Sequence, residues 1–292
     1  MLAAERQRLV ARLTDLDRVL TLPVYLPPDA GWLSGVSISI PNVAPNGDPM
    51  GFMSENGVVI MPLTGLKFIE DLTMAYAWRY SRGQTLEPFD EYLAMLRWKP
   101  EAEWPGGVYS DPLKTFGVPP GAWDQDQRLA GLGTSLRNEA WAFILAHELA
   151  HVYYSHPGNS VPPKQVQANE RQADAFALDL LERTETIPMG AILYFQATVA
   201  FYASRVDLPS DRAYAVWQRE QATHPVNSQR LLTIARHLQL EAKRQSGATR
   251  AEVLSFIGNR LEQFATDLDD PAMQQLVARR AIFGNPADLK DR

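Results

Sequence analysis

The middle of the chain alternates apolar and polar residues with the period of an α-helix. No glycine or proline interrupts the sequence from Asn138 until Pro157, and the apolar positions recur three and four residues apart. These positions are Ala140, Ile144, Leu145, Leu149 and Val152. Residues 166–183 repeat the pattern with an apolar stripe of Ala173, Phe176, Ala177, Leu180 and Leu181. The pattern predicts two consecutive helices that each bury one face.

Shorter patterns before this region predict a small sheet. Val36–Ile40 alternates apolar and polar residues, as a half-exposed strand does. Asn56-Gly57 is a hairpin turn signal between two further apolar segments. The remaining periodic stretches predict helices over residues 1–20, 66–80, 187–203, 211–223, 228–245 and 249–268. We therefore expect an α+β fold that is mainly helical, with a small, mostly antiparallel sheet.

The length of the chain fits one large domain, which we expect to span residues 1–292. Its parts are an N-terminal helix (1–22), a sheet and loop-rich part (23–125), a helical core (126–246) and C-terminal helices (247–292). Within the second part, residues 97–124 mix aromatic residues with prolines and glycines and show no period. This segment either forms a lid or wall of a cleft, or only covers the core.

Candidate chemistry lies on the first of the two central helices. His147 and His151 are four residues apart, so both imidazoles lie on one helix face and can reach a single metal ion. Glu148 follows the first histidine directly and can reach a water molecule on that metal. The arrangement His-Glu-x-x-His is the pattern of zinc hydrolases, in which such a glutamate is the catalytic base.

The second helix supplies carboxylates on one side. Glu170 is positioned to be the third ligand of a catalytic zinc, which needs three protein ligands and one open position. Asp174 is four residues further and can accept the free N–H of a ligating imidazole. The alternative is that both carboxylates belong to a solvated acidic face. We interpret His156 and His237 as structural rather than catalytic.

The composition of the chain excludes only a few classes of partner and of site. The net charge of −6 gives no electrostatic reason to expect nucleic acid as a partner. The absence of cysteine rules out disulfides and thiolate metal sites.

No signal peptide is visible, because charged residues interrupt the apolar positions of the first twenty residues. We expect a cytoplasmic location on that ground, or a periplasmic one if the chain is a trimmed mature form. The apolar stretch 187–203 is short for a membrane span, which needs roughly twenty residues. We therefore expect no transmembrane segment. The sequence does not indicate the oligomeric state.

Residues 146–151 together with 169–178 resemble the gluzincin metallopeptidases. The likeness is greatest to the family of CAAX prenyl endopeptidases and their soluble bacterial relatives, which place a His-Pro a few residues before an Arg. His224-Pro225 and Arg230 match that third element. The short spacing between the two helices is similar to that of ImmA/IrrE-type regulatory peptidases, whose second motif usually has Asn at the position of Asp174. The resemblance covers about residues 135–235.

The resemblance implies a zincin-like metallopeptidase domain that binds one Zn²⁺ per chain and cleaves peptides or proteins. We expect His147, His151 and Glu170 to hold the zinc, Glu148 to act as general base, and Asp174 to orient a ligand. By the resemblance, His224 would stabilise the oxyanion and Arg230 would help to organise the cleft. Two tyrosines, Tyr153 and Tyr202, are further candidates for the oxyanion donor. In gluzincins an edge strand also binds the substrate backbone.

Two other interpretations compete with that of an active endopeptidase. The chain could be a chaperone-like or regulatory binding protein on the same scaffold, with a structural zinc that has four protein ligands. It could also be a latent peptidase whose cleft is covered by residues 97–124.

Overall fold

The computed structural model describes residues 3–45, 50–99, 111–157, 161–201, 209–220, 228–285 and 288–289. Twelve α-helices and three strands lie within these residues, in the order that follows. They are α1 (Ala3–Leu20), β1 (Ser37–Ser39), β2 (Met53–Glu55), β3 (Val58–Ile60), α2 (Leu63–Ser81), α3 (Pro88–Trp98), α4 (Pro112–Thr115), α5 (Ala122–Gln125), α6 (Gln127–Tyr153), α7 (Pro163–Arg183), α8 (Met189–Phe201), α9 (Asp211–Glu220), α10 (Ser228–Arg244), α11 (Ala248–Asp269) and α12 (Pro271–Phe283). The expectation of a mainly helical α+β fold is confirmed.

The small sheet has the strand order β1-β3-β2. β2 and β3 form the predicted hairpin, whose turn residues Asn56 and Gly57 have φ angles of 51° and 77°. Positive φ at both positions is what a tight two-residue hairpin requires, and asparagine and glycine tolerate it best. β1 pairs with β3 in parallel, so the sheet is mixed, with one antiparallel and one parallel pair. β1 and β2 are therefore the two edges of the sheet.

Helix α6 lies at the centre of the fold. Its residues 140–150 are all buried, and α1, α2, α7, α8 and the strands β2 and β3 pack around it. A helix that is apolar on nearly every side is stable only when its neighbours cover it completely. The buried apolar side chains form one cluster that extends from Leu9 in α1 to Leu289 near the C-terminus. Polar side chains within residues 140–150 are consequently enclosed, which is the environment that a metal site needs.

Helix α8 approaches α6 closely at Gly190. A Cβ atom at this position would lie 1.9 Å from the carbonyl oxygen of Leu136 and 2.7 Å from the amide nitrogen of Ala140. The backbone N–H of Gly190 donates a hydrogen bond to Glu139 Oε2 at 3.0 Å. The two helices can touch backbone to backbone only because glycine has no side chain.

The segment 97–124 is predicted to be irregular. In the structure, the short helix α4 lies within it and the short helix α5 begins within it. Residues 100–110 lie outside the described residues, so a lid formed by this segment stays a prediction. Among the helices that the structure describes, none has the length and the apolar character that a membrane crossing requires.

Candidate metal centre

Helices α6 and α7 bring the predicted ligands together. His147 and Glu148 are 5% and 6% exposed, and Glu170 on the neighbouring helix is 2% exposed. Small residues such as Ala173 and Ala177 face the core beside Glu170 and allow α7 to pack closely on α6. The carboxylate is thus inward-facing, and the alternative of a solvated acidic face is wrong for Glu170 and for Asp174, which is 3% exposed.

The three candidate ligand side chains, which we call the donor triangle, bring their donor atoms close together. The Nε2 atoms of His147 and His151 are 3.1 Å apart. Glu170 Oε2 lies 3.3 Å from the first nitrogen, and Glu170 Oε1 lies 3.4 Å from the second. Ligands bound to a tetrahedral zinc at about 2.0–2.1 Å are separated by roughly 3.3–3.4 Å, and each pair of side chains in the donor triangle has donor atoms close to that spacing. The donor set fits a zinc ion.

The electrostatic environment favours a cation at the same place. Burial alone would lower the pKa of His147, but the adjacent carboxylates of Asp174 and Glu170 raise it to about 10. A group of atoms that holds a proton so strongly provides a negative potential at the imidazole nitrogens. A divalent metal ion benefits from that potential, and metal binding would replace the proton.

Asp174 and Arg230 form the next layer around the triangle. Asp174 Oδ1 is 3.0 Å from Nδ1 of His147, although the ring N–H does not point directly at the oxygen. The guanidinium of Arg230 donates two hydrogen bonds to Asp174, from Nε at 2.6 Å and from Nη2 at 2.7 Å. Its Nη1 lies 3.1 Å from Glu170 Oε2. The structure thus brings Asp174 and Arg230 to the positions in which they can orient both a histidine and the glutamate.

These buried charges depend on one another. Burial alone would raise the pKa of Asp174, but Arg230 and His147 hold it below its usual value. Burial would likewise lower the pKa of Arg230, but Asp174 and Glu170 raise it. The face of the Phe195 ring lies 5.6 Å from the guanidinium carbon and gives it a cation–π contact. Arg230 is therefore held charged between two carboxylates and an aromatic ring.

His156 is a partner of the centre that sequence reasoning missed. Its Nδ1 lies 2.9 Å from Nδ1 of His151, and its Nε2 lies 3.2 Å from Gln172 Oε1. Burial lowers the pKa of His156, which favours its neutral form. The amide oxygen of Gln172 accepts only, so we assign the proton of His156 to Nε2, and its Nδ1 then accepts the N–H of His151. This leaves Nε2 of His151 without a proton, and that atom lies beside His147 Nε2 and Glu170 Oε1. The spacing of five residues after His151 was the only signal in the sequence.

Tyr194 on α8 also lies next to the centre. Its ring is 6.3 Å from that of Phe143, which stacks at 6.2 Å on the ring of His147. Its hydroxyl is close enough to Arg230 to influence the pKa of that residue. Tyr194 also contacts Phe52, the residue before β2, with a distance of 6.2 Å between the ring centroids. Tyr194 thus lies between the proposed zinc ligands and an edge strand.

The remaining site predictions have different outcomes. His224 and Tyr202 lie outside the described residues. The hydroxyl of Tyr153 donates to the carboxylate of Asp29 at 2.9 Å, so it is engaged with the loop after α1 rather than with the ligand triangle. Among the described residues, no fourth histidine, aspartate or glutamate joins the three donors of the triangle.

The comparisons with known proteins identify one family. The sequence model of a family described as Peptidase U49 matches residues 84–249, which is more than half of the chain. The matched segment includes both central helices and Arg230. No curated protein matches the chain, and no solved structure matches it.

Proposed function

The chain belongs to the Peptidase U49 family, and we propose that it is a zinc-dependent endopeptidase with its active site at the His147–His151–Glu170 triangle. Family membership makes the chain a peptidase and gives it a protein or peptide substrate. The metal dependence and the roles of the residues are our proposal. The observation that carries it is the spacing of the donor atoms, 3.1–3.4 Å between each pair of the three side chains. Two of these side chains belong to the His-Glu-x-x-His pattern of α6.

The bound ion would supply a water of lowered pKa and would polarise the scissile carbonyl. Glu148 takes the proton of the attacking water and passes it to the nitrogen of the leaving amine. Asp174 orients His147, His156 orients His151, and Arg230 orients Glu170, so that each ligand has its own support. By the resemblance, His224 donates a hydrogen bond to the oxyanion.

The net charge of the buried side chains around the donor triangle favours a divalent ion. Glu148, Glu170 and Asp174 are buried carboxylates, and Arg230 is the buried cation in contact with two of them. One arginine leaves two negative charges, which a divalent cation neutralises. The charges of these four side chains therefore sum to zero with the charge of a bound divalent ion.

We further propose that the closer relationship is to the CAAX prenyl endopeptidases and their soluble bacterial relatives. Asp174 accepts two N–H groups of Arg230, one on each carboxylate oxygen. An asparagine, as ImmA/IrrE-type peptidases usually have there, offers only one acceptor oxygen and no charge. The pair Asp174–Arg230 supports the first family.

The substrate backbone would bind along β2. This edge strand packs against α6, and Phe52, the residue before it, contacts Tyr194. Pairing with a strand edge uses main-chain hydrogen bonds, which tolerate many side chains. An extended segment of an unfolded protein is the substrate that this arrangement suits.

The competing interpretation, a binding protein with a structural zinc, requires a fourth protein ligand. The described residues provide three donors, and they place Glu148 next to the first of them without making it a member of the group. A structural site has no use for such a base.

The test compares zinc-loaded wild type with Glu148→Gln on an unfolded protein substrate. The variant should bind zinc as wild type does, because Glu148 is not a ligand, and it should lose cleavage. Glu252→Gln is the matched control, since it removes one exposed carboxylate from α11 and should cleave normally. Cleavage that persists in Glu148→Gln or in the presence of a chelator would overturn the proposal.

A further inference from the structure

A second group of metal-binding side chains lies on α7 and α10, away from the triangle. Asp179 and Glu182 of α7 and His237 of α10 offer donor atoms that all lie within 4.8 Å of one another. In the part of the chain that the structure describes, only this group and the triangle meet that condition. We propose that Asp179, Glu182 and His237 form a second divalent-cation site, whose donors suit zinc.

The positions along the two helices explain why these side chains meet. Asp179 and Glu182 are three residues apart, so their carboxylates lie on neighbouring positions of one face of α7. His237 follows Arg230 by seven residues, which is about two helical turns and returns to the same side of α10. Arg230 faces α7 through its contact with Asp174. His237 therefore also faces α7, further along the same contact.

The imidazole of His237 is the observation that points to a ligand. Its Nε2 atom is buried and has no hydrogen-bond partner among the described residues. The Oδ1 atom of Asp179 is 4.0 Å away, which is beyond hydrogen-bonding distance, and the His237 side chain as a whole is 23% exposed. Burying an unpaired polar nitrogen costs free energy, and a cation between the nitrogen and the two carboxylates would remove that cost. The distance leaves room for an ion after small side-chain rotations.

The chemistry of the donors selects the ion. One imidazole and two carboxylates form a mixed nitrogen and oxygen set, which suits zinc and other first-row transition metals. Magnesium prefers six oxygen ligands in an octahedron and does not fit. The side chain of Asp179 is 58% exposed, so water completes the coordination. The ion would bind more weakly than at the enclosed triangle.

Such an ion would join two helices that support the proposed active site. α7 carries Glu170 and Asp174, and α10 carries Arg230, so the ion would hold both helices at a point beyond their buried ion pair. Its role would be to stabilise this contact rather than to take part in the reaction. The site itself does not depend on the proposed peptidase function.

The experiment counts zinc ions per chain by titration calorimetry and elemental analysis of metal-depleted protein. Wild type and the control Glu252→Gln should bind two, whereas His237→Gln and Asp179→Asn should each bind one. Asp179 is exposed, so its substitution keeps the fold even if that of His237 does not. Excess magnesium should not displace the second ion. The thermal midpoint should rise on the second equivalent of zinc in wild type and not in the two variants.

The outcomes separate this proposal from the proposed function. Zinc binding by His237→Gln and Asp179→Asn that equals the wild-type count would overturn the second site, because then Asp179 and His237 only form an ion pair. A count that falls in these variants but does not fall in His151→Gln would uphold the second site and refute zinc binding at the triangle. If wild type binds one ion and only His151→Gln loses it, zinc binding at the triangle is upheld and the second site is refuted.

Discussion

Replacing Arg230 with methionine tests whether the buried charges around the proposed metal centre stabilise the fold. Methionine keeps most of the volume of the side chain and its contact with Phe195, but it removes both hydrogen bonds to Asp174 and the contact with Glu170. Asp174 and Glu170 then remain buried, at 3% and 2% exposure, beside His147 but without the guanidinium. We expect a large loss of stability in metal-free protein.

The magnitude follows from two independent considerations. Two hydrogen bonds between charged groups are each worth about 1.5–3 kcal/mol, which gives roughly 3–6 kcal/mol for the pair. Removal of one partner of a buried ion pair costs about 3–5 kcal/mol in other proteins. The two ranges overlap, so we expect the free energy of unfolding to fall by about 3–5 kcal/mol, a large part of the roughly 5–15 kcal/mol of a typical domain.

Urea unfolding in the presence of a chelator measures this loss. Arg236→Met, an exposed arginine on the same helix, is the matched control and should change stability by about 0.5 kcal/mol or less. The double variant Arg230→Met with Asp174→Leu should lose less than Arg230→Met alone, because it removes one of the two carboxylates that have lost the guanidinium. A loss below about 1 kcal/mol in Arg230→Met would refute the reasoning, since it lies in the range of an exposed ion pair.

Three further predictions concern single side chains. His156→Leu removes the acceptor for His151 and should weaken zinc binding about 10–100-fold in a chelator competition; unchanged affinity would show that His156 does not orient the ligand. Tyr194→Phe removes a hydroxyl that acts electrostatically on Arg230. We expect this hydroxyl to donate to the oxyanion, so its loss should lower kcat about 100-fold with little change in KM; equal kcat values would exclude that role. Burial raises the pKa of Asp71 to about 7, against the effect of Lys67. Between about pH 4 and pH 7 the folded chain then keeps a proton that the unfolded chain has lost, so this group lowers stability as the pH rises. Asp71→Asn should remove that part of the slope in urea midpoints at pH 5 and pH 8, and parallel slopes would contradict it.

The elements that the sequence predicts well are those with a local cause. The period of apolar residues defines α6 and α7, and the Asn56-Gly57 pair defines the hairpin, because spacing and turn chemistry act between neighbouring residues. The histidines of α6 and Glu170 could be grouped because one helix face fixes the first two and ligand chemistry suggests the third. The donor triangle brings these three together as expected.

What the sequence does not predict depends on contacts between distant elements. The parallel pairing of β1 with β3 is invisible in the alternation of either strand, since side-chain alternation is the same in both pairings. Tyr194 has no motif of its own, and only the packing of α8 on α6 places it near His147. His156 follows the central helix in a turn, so no helical period connects it with His151.

The contact at Gly190 has a consequence for recognising other members of this family. A methyl group there would overlap the backbone of α6, so an alanine would force α8 to move away or to slide along α6. Tyr194 lies one turn further on α8 and would move with it. Any homologous chain that keeps this tyrosine beside the proposed metal ligands should therefore keep glycine four residues before it. This pair would be a sequence signature outside the His-Glu-x-x-His motif, dictated by the distance between two backbones and not by chemistry.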